Sequence, residues 1–187
     1  MKPPVSLHTI PALNEVIVRD SIRLRPLDQS HATRLLEILA ADKSIRESVT
    51  VASRLHTPED VAAEIEHYHK ETGLIRYVLL NDNNPIGFVS LWRDDGFWGT
   101  KNPNDYGFGY FLDKNERGKG LVTSAVQSLM DTVVKNLQVN QFVAFCEDGN
   151  DGSIAVLKRL GFKPTEETLA EPNKGWIERK YILSQPF

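Results

Sequence analysis

The sequence predicts a mixed α/β (α+β) fold in one domain spanning 1-187, and three observations carry that expectation. Segments that alternate in the two-residue period of strands interleave with segments of helical period, in the order ββααβββαβαββ. Two of the strand-like segments, Leu74 to Asn81 and Pro85 to Asp94, are separated only by Asp82 to Asn84, residues that favour a tight turn, so part of the sheet is antiparallel. Finally, 187 residues bury one sizeable core but not two, and no repeat or long linker divides them.

Each element has its own justification. Val16 to Leu27 alternates around a polar turn, as two short strands or one bent strand would. Asp28 is a cap candidate for a helix whose Ala32, Leu35, Leu36 and Leu39 share one stripe. A second helix starts with Thr57 as cap, Pro58 at its first position and acids in its first turn, and Gly73 is its stop. After the hairpin, Asp105 to Asp113 reads as a strand despite Gly107 and Gly109, which need a ligand or a bulge to account for them. From Leu121 onward Val122, Val126, Leu129, Val133 and Leu137 recur at helical spacing. Val139 to Glu147 is a strand, Asp151 to Leu160 a short helix closed by Gly161, and the last two strand-like segments form a terminal pair. Residues 1-15, rich in proline, read as a surface arm.

Composition narrows the function classes. A net charge of -3 argues against coating nucleic acid, and no apolar run approaches the length of a membrane span. The early prolines interrupt what a signal peptide needs, and the single cysteine, Cys146, sits among apolar strand residues, so a reducing, cytoplasmic setting is expected. The five histidines offer no metal site: His67 and His69 are two apart on a helix and do not share a face, and the others stand alone. No nucleic-acid or membrane partner is expected, and a homodimer is left open.

The informative stretch is Glu116-Arg117-Gly118-Lys119-Gly120-Leu121, where two glycines flank a cation immediately before the long helix. Glycines let the backbone approach an anion, the first helical turn offers unpaired N–H groups and a positive dipole end, and Arg117 and Lys119 add attraction for phosphate. A glycine-rich turn with no ligand stays open as the alternative. A P-loop is excluded because Gly-Lys-Ser/Thr is absent, and a dinucleotide fingerprint because Thr123 stands where a third glycine or an alanine belongs.

Two motifs together resemble one family. Arg117, Gly118, Lys119, Gly120 and Leu121, with Val122 at a usually small position, fit Gln/Arg-x-x-Gly-x-Gly/Ala. Asn150, Ser153, Gly161 and Phe162 fit Asn-x-x-Ser followed by an apolar helix ending in Gly-Phe. From about Ile22 to Ile182 the chain resembles the GNAT superfamily of N-acetyltransferases, in its RimJ/RimL-like branch of ribosomal-protein N-terminal acetyltransferases. The resemblance implies a mostly antiparallel central sheet flanked by helices on both faces and splayed between its fourth and fifth core strands, here Asp105 to Leu112 and Val139 to Cys146. It implies acetyl-CoA as co-substrate, with no metal, and a primary amine as acceptor. It further implies that backbone N–H groups from Arg117 through Val122 bind the pyrophosphate, that an N–H near Phe111 or Leu112 stabilises the oxyanion, and that Asn150 helps hold the cofactor, a role compatible with capping the next helix. The splay would then explain Gly107 and Gly109.

Catalytic roles follow the resemblance less closely. Relatives place a tyrosine seven residues after the asparagine to protonate the departing thiolate, whereas this chain has Leu157. Ser153 is the substitute, with a plain helix-terminal hydrogen bond as its alternative role. A strand glutamate common in relatives is replaced in the run Gly107-Phe108-Gly109-Tyr110. Asp105, on the same strand face, Glu147 at the end of the next strand, and a water chain to solvent all remain as ways to take the amine's proton. Trp92, Phe97 and Trp98 could wall an acceptor pocket, with Asp94 and Asp95 attracting an amine or simply forming a turn. The acceptor, a protein N-terminus or a small-molecule amine, is not specified. A catalytically silent acyl-CoA-binding module on the same fold is the rival reading, motivated by the missing glutamate and tyrosine.

Overall fold

The computed structural model describes residues 15–70, 74–93, 104–171 and 176–184. Within them the strands are β1 (Val16–Arg19), β2 (Ile22–Pro26), β3 (Leu74–Asn81), β4 (Asn84–Arg93), β5 (Asp105–Leu112), β6 (Gln141–Glu147), β7 (Lys163–Glu171) and β8 (Trp176–Ser184). The helices are α1 (Ala32–Ala41), α2 (Lys43–Ser48), α3 (Pro58–Lys70), α4 (Leu121–Asn136) and α5 (Asp151–Arg159). Asp82 and Asn83 adopt positive φ, which closes the β3–β4 hairpin with the twist that flanking strands prefer. Glu15, the end of the expected arm, pairs with Arg23 and Arg25 of β2, and the rest of the arm and Gly73 lie outside the described residues.

All eight strands join one sheet in the order β1-β2-β3-β4-β5-β6-β8-β7. Every pairing is antiparallel except β5 with β6. One face packs under α4 and α5, with Val122, Val126, Leu129 and Val133 against Leu24, Tyr77, Leu79, Tyr106 and Phe142. The other face carries α1 to α3, with Leu35, Ile38, Leu39 and Val61 over Val78, Leu80, Phe88 and Phe111. Both cores exist because β3 and β4 are apolar on both faces, as strands covered on both sides must be.

Three features differ from the sequence reading. Asp28 caps a single 3-10 turn, Gln29–His31, which leads into α1, instead of capping α1 itself. A helix that was not read, α2, lies between α1 and α3. It is six residues long with only Ile45 buried, too short to show a period, and Asp42 starts it by accepting the N–H of Ser44. Gly107 does not owe its place to the splay: a Cβ there would stand 2.4 Å from the Trp92 indole nitrogen, so the glycine is the slot into which Trp92 packs. Trp92 also lies 3.5 Å from where a Cβ of Gly109 would be.

The splay itself is present. β5 and β6 pair only from Asp105↔Gln141 to Gly107↔Val143. Beyond that point β5 keeps its ladder with β4 as far as Leu112, and β6 keeps its ladder with β8 as far as Glu147. From Phe108 onward the two strands therefore part, and the wedge between them opens toward the glycine turn.

Candidate active site

A cavity of about 740 Å³ occupies the open end of this wedge. Its walls are α2 (Ser44, Ile45, Ser48) with Val49 just after it, the end of β5 (Tyr110, Phe111, Leu112), the glycine turn with the first turn of α4, and the β6–α5 connection through Ser153.

The glycine turn is built as an anion cradle. Gly118 and Gly120 take φ of 78° and 72°, left-handed conformations that glycine adopts without penalty. No atom lies within 4 Å of where a Cβ would stand at either, so space is kept on that side of the backbone. Gly120 caps α4 with no side-chain partner, which leaves the first-turn N–H groups for a ligand. Thr123 in that turn lines the cavity, and its enclosed hydroxyl has no hydrogen-bond partner. This arrangement fits a pyrophosphate, whose oxygens would satisfy those donors.

The two cations of the turn are less free than the sequence reading expected. Arg117 donates to the Asp42 carboxylate at 2.6 Å and to the Leu112 carbonyl at 3.2 Å, and so straps the turn to the start of α2. Lys119 pairs with Glu116 at 2.9 Å, while its carbonyl accepts from Arg19 at 2.8 Å. The Asp42 carboxyl is held below its ordinary pKa by the Ser44 hydroxyl first and by Arg117 next, against the upward effect of burial.

At the end of β5 the ladder fixes which amides face the wedge. Asp113 N–H donates to Ile86 C=O on β4, and backbone groups alternate along a strand. Phe111 N–H is therefore turned toward β4, whereas Leu112 and Tyr110 turn theirs toward the gap. The Leu112 carbonyl, on that same side, is the one Arg117 reaches.

Across the wedge, Asn150 accepts the Ser153 N–H at 3.1 Å and caps α5. Ser153 lines the cavity, and Leu157 is a buried core residue of the same helix. Cys146 is buried, and burial, reinforced by the Glu178, Asp148 and Glu147 carboxylates, pushes its thiol up to about 12.

Asp105 is placed elsewhere. It is only 1% exposed and sits at the closed end of the wedge, with Gln141 donating to one carboxylate oxygen at 2.7 Å and the other oxygen enclosed. It is not among the residues lining the cavity, whereas Glu147 is. Trp92 is described, but Asp94, Asp95, Phe97 and Trp98 lie outside the described residues. Among the described residues no group of three or more His, Cys, Asp or Glu side chains could hold a metal ion.

Sequence reasoning missed Tyr110, Thr123 and the α2 wall. Tyr110 alternates with Phe108 and Leu112 on β5, and Thr123 follows the glycine turn directly, so both had a positional signal. The α2 wall had none.

Residues 21–163 match the family model of the acetyltransferase (GNAT) domain, and the chain belongs to that family. The ribosomal-protein-serine acetyltransferase of Escherichia coli (strain K12) is 22% identical over 149 residues, 78% of this chain and 80% of that protein. The probable N-acetyltransferase YjcK of Bacillus subtilis (strain 168) is 29% identical over 161 residues, 82% of this chain and 85% of that one. Among solved structures, a RimL ribosomal alpha-N-protein acetyltransferase in complex with coenzyme A shares the fold with a TM-score of 0.78 at 20% identity, covering 91% of this chain and 98% of that one. The protein is an N-acetyltransferase, and its acetyl donor is acetyl-CoA.

Proposed function

We propose that the acceptor is the α-amine of a protein N-terminus, acetylated by direct attack on the thioester in the wedge between β5 and β6. The observation that carries this reading is one cavity lined by an anion cradle at Gly118–Gly120 and, across the wedge, by Ser153. The names of the E. coli and RimL relatives support a protein N-terminus over a small amine. We place the protein in the cytoplasm.

Bound there, acetyl-CoA supplies an activated acyl group. Backbone amides from Arg117 to Val122, with Thr123, would hold its pyrophosphate, and Asn150 braces the helix that carries Ser153. Leu112 N–H is turned toward the gap and stabilises the oxyanion that forms when the amine adds. Ser153 gives its hydroxyl proton to the departing sulfur. The amine sheds its proton to solvent, and Asp105 braces the closed end of the wedge through Gln141 instead of acting as base.

The test is release of free CoA thiol from acetyl-CoA across a panel of N-terminal peptides, polyamines and aminoglycosides. Peptides should give the highest kcat/KM. Faster turnover of an aminoglycoside or polyamine would reject the acceptor assignment, and acetyl-CoA affinity without thiol release for any acceptor would restore the silent-module reading.

A further inference from the structure

Among the described residues two cations line the cavity, Arg117 and Arg159. Arg117 is already committed to the Asp42 carboxylate and the Leu112 carbonyl. Arg159, the last residue of α5, is exposed, and its guanidinium closes no hydrogen bond or ion pair with any described residue. It reaches the cavity at the end of a helix stripe, Gly152, Ala155, Val156 and Arg159, whose spacing of three and four residues puts them on one face. That stripe is kept low at its start. A Cβ at Gly152 would meet only Asn150 Oδ1, at 3.8 Å, and Ala155 adds a single methyl group. A ligand can therefore lie along α5 until it meets the guanidinium. Acetyl-CoA has a fixed order of parts: thioester, pantetheine, pyrophosphate, then an adenosine whose ribose carries a 3′-phosphate. With the thioester at Ser153 and the pyrophosphate at the glycine turn, the adenosine end is what remains to be placed, and its 3′-phosphate is the anion still without a partner. Ser153 and Arg159 are six positions apart on α5, about 9 Å along the axis at about 1.5 Å per residue, so the cation stands clear of the reacting thioester.

We propose that Arg159 selects the 3′-phosphorylated cofactor: its guanidinium donates parallel N–H bonds to oxygens of the 3′-phosphate of acetyl-CoA, while the adenosine lies along the low stripe of α5. This rests on the placement of the pyrophosphate at the glycine turn. A cation in the last turn of a helix also suits the helix dipole, but Lys158 stands in the same turn without lining the cavity. A dipole role is blind to whether the ligand carries a 3′-phosphate, and the proposed contact is not.

The experiment measures, by calorimetry, the affinities of acetyl-CoA and acetyl-3′-dephospho-CoA for the unmodified protein, Arg159→Gln and Lys158→Gln. Both positions are exposed on α5, and an unchanged melting temperature confirms that the fold is intact. The unmodified protein is expected to bind acetyl-CoA about fivefold more tightly than the dephospho form, the scale of one exposed charge-assisted pair, and the preference should shrink in high salt. Arg159→Gln should lose that preference and bind both ligands as the unmodified protein binds the dephospho form, whereas Lys158→Gln should keep it. An Arg159→Gln variant that weakens both ligands equally would put the guanidinium on another part of the cofactor and overturn the proposal. An unmodified protein without the preference overturns it as well, as does a Lys158→Gln variant that loses the preference just as fully. The pyrophosphate placement is tested separately, by acetyl-3′-dephospho-CoA on Gly120→Asp against Gly120→Asn, where no 3′-phosphate takes part. Equal affinities there would remove the ground on which the proposal stands.

Discussion

At the residue scale the site depends on backbone conformation more than on side-chain charge. Arg117 and Lys119, the cations that make the turn conspicuous, are bound to Asp42 and Glu116, whereas Gly118 and Gly120 hold positive φ beside open space. Substitution at Gly120 separates the two influences. Asparagine and aspartate are the side chains that tolerate left-handed φ best, so both Gly120→Asn and Gly120→Asp should fold. They differ by one negative charge placed beside the anion site, and a like charge at about 4 Å is worth about 4 kcal/mol at an effective dielectric of 20. Gly120→Asp is therefore expected to bind acetyl-CoA at least about tenfold more weakly than Gly120→Asn in calorimetry, a difference that shrinks in high salt. Equal affinities would show that no phosphate approaches the turn. The left-handed conformation of Gly120 was legible because glycine adopts it without penalty at a tight turn, while the ion pair of Arg117 was not, because Asp42 is 75 positions away and α2 gave no periodic signal.

At the scale of elements, the unread α2 is what makes the wedge a cavity. It is held from behind by a network on the α1–α3 face of the sheet. Arg76 on β3 donates to Glu64 on α3 at 2.8 and 3.2 Å and lies over the Phe88 ring at 5.8 Å. Arg54, in the 3-10 turn between α2 and α3, reaches the second oxygen of Glu64 at 3.4 Å. Arg46 of α2 donates to the Ala52 and Leu55 carbonyls of that same connection. Glu64 and Arg76 are both buried, so removing one partner strands a desolvated charge. Glu64→Ala is expected to lower the unfolding free energy by about 3–5 kcal/mol in urea titration, whereas Arg54→Ala, on an exposed arm of the network, should cost under about 1 kcal/mol. A Glu64→Ala loss as small as that of Arg54→Ala would mean that Arg76 finds solvent and that the network does not brace the α2 wall. Periodicity made α1, α3, α4 and α5 readable from the chain, but nothing local shows that Glu64 and Arg76 meet.

At the scale of the whole molecule, the order of elements was legible because strands and helices alternate with clean periods, and the family motifs fall on the two sides of the open end of the wedge that this order creates. What was not legible is spatial closure: that β8 inserts between β6 and β7, that α2 roofs the wedge, and that Asp105 falls at its shut end. The last of these decides how the acceptor loses its proton. A positioned general base contributes about 10²–10⁴-fold to rate. Asp105 lies away from the cavity, tied to Gln141, so Asp105→Asn should change kcat by less than about threefold, far short of that contribution. Glu147 and Asp148 both line the cavity, and because Asp148 is held by Arg179 at 3.0 and 3.2 Å, Glu147 is the carboxylate on which the solvent reading can fail. If solvent takes the proton, kcat/KM rises with pH until the acceptor's own amine is neutral, near a pKa of about 8 for a peptide α-amine and above about 10 for a lysine-like amine. The rising limb should then move with the acceptor and remain in place in both Asp105→Asn and Glu147→Gln. A Glu147→Gln enzyme that is about a hundredfold slower, with a limb that no longer follows the acceptor's pKa, would make Glu147 the base and solvent a bystander.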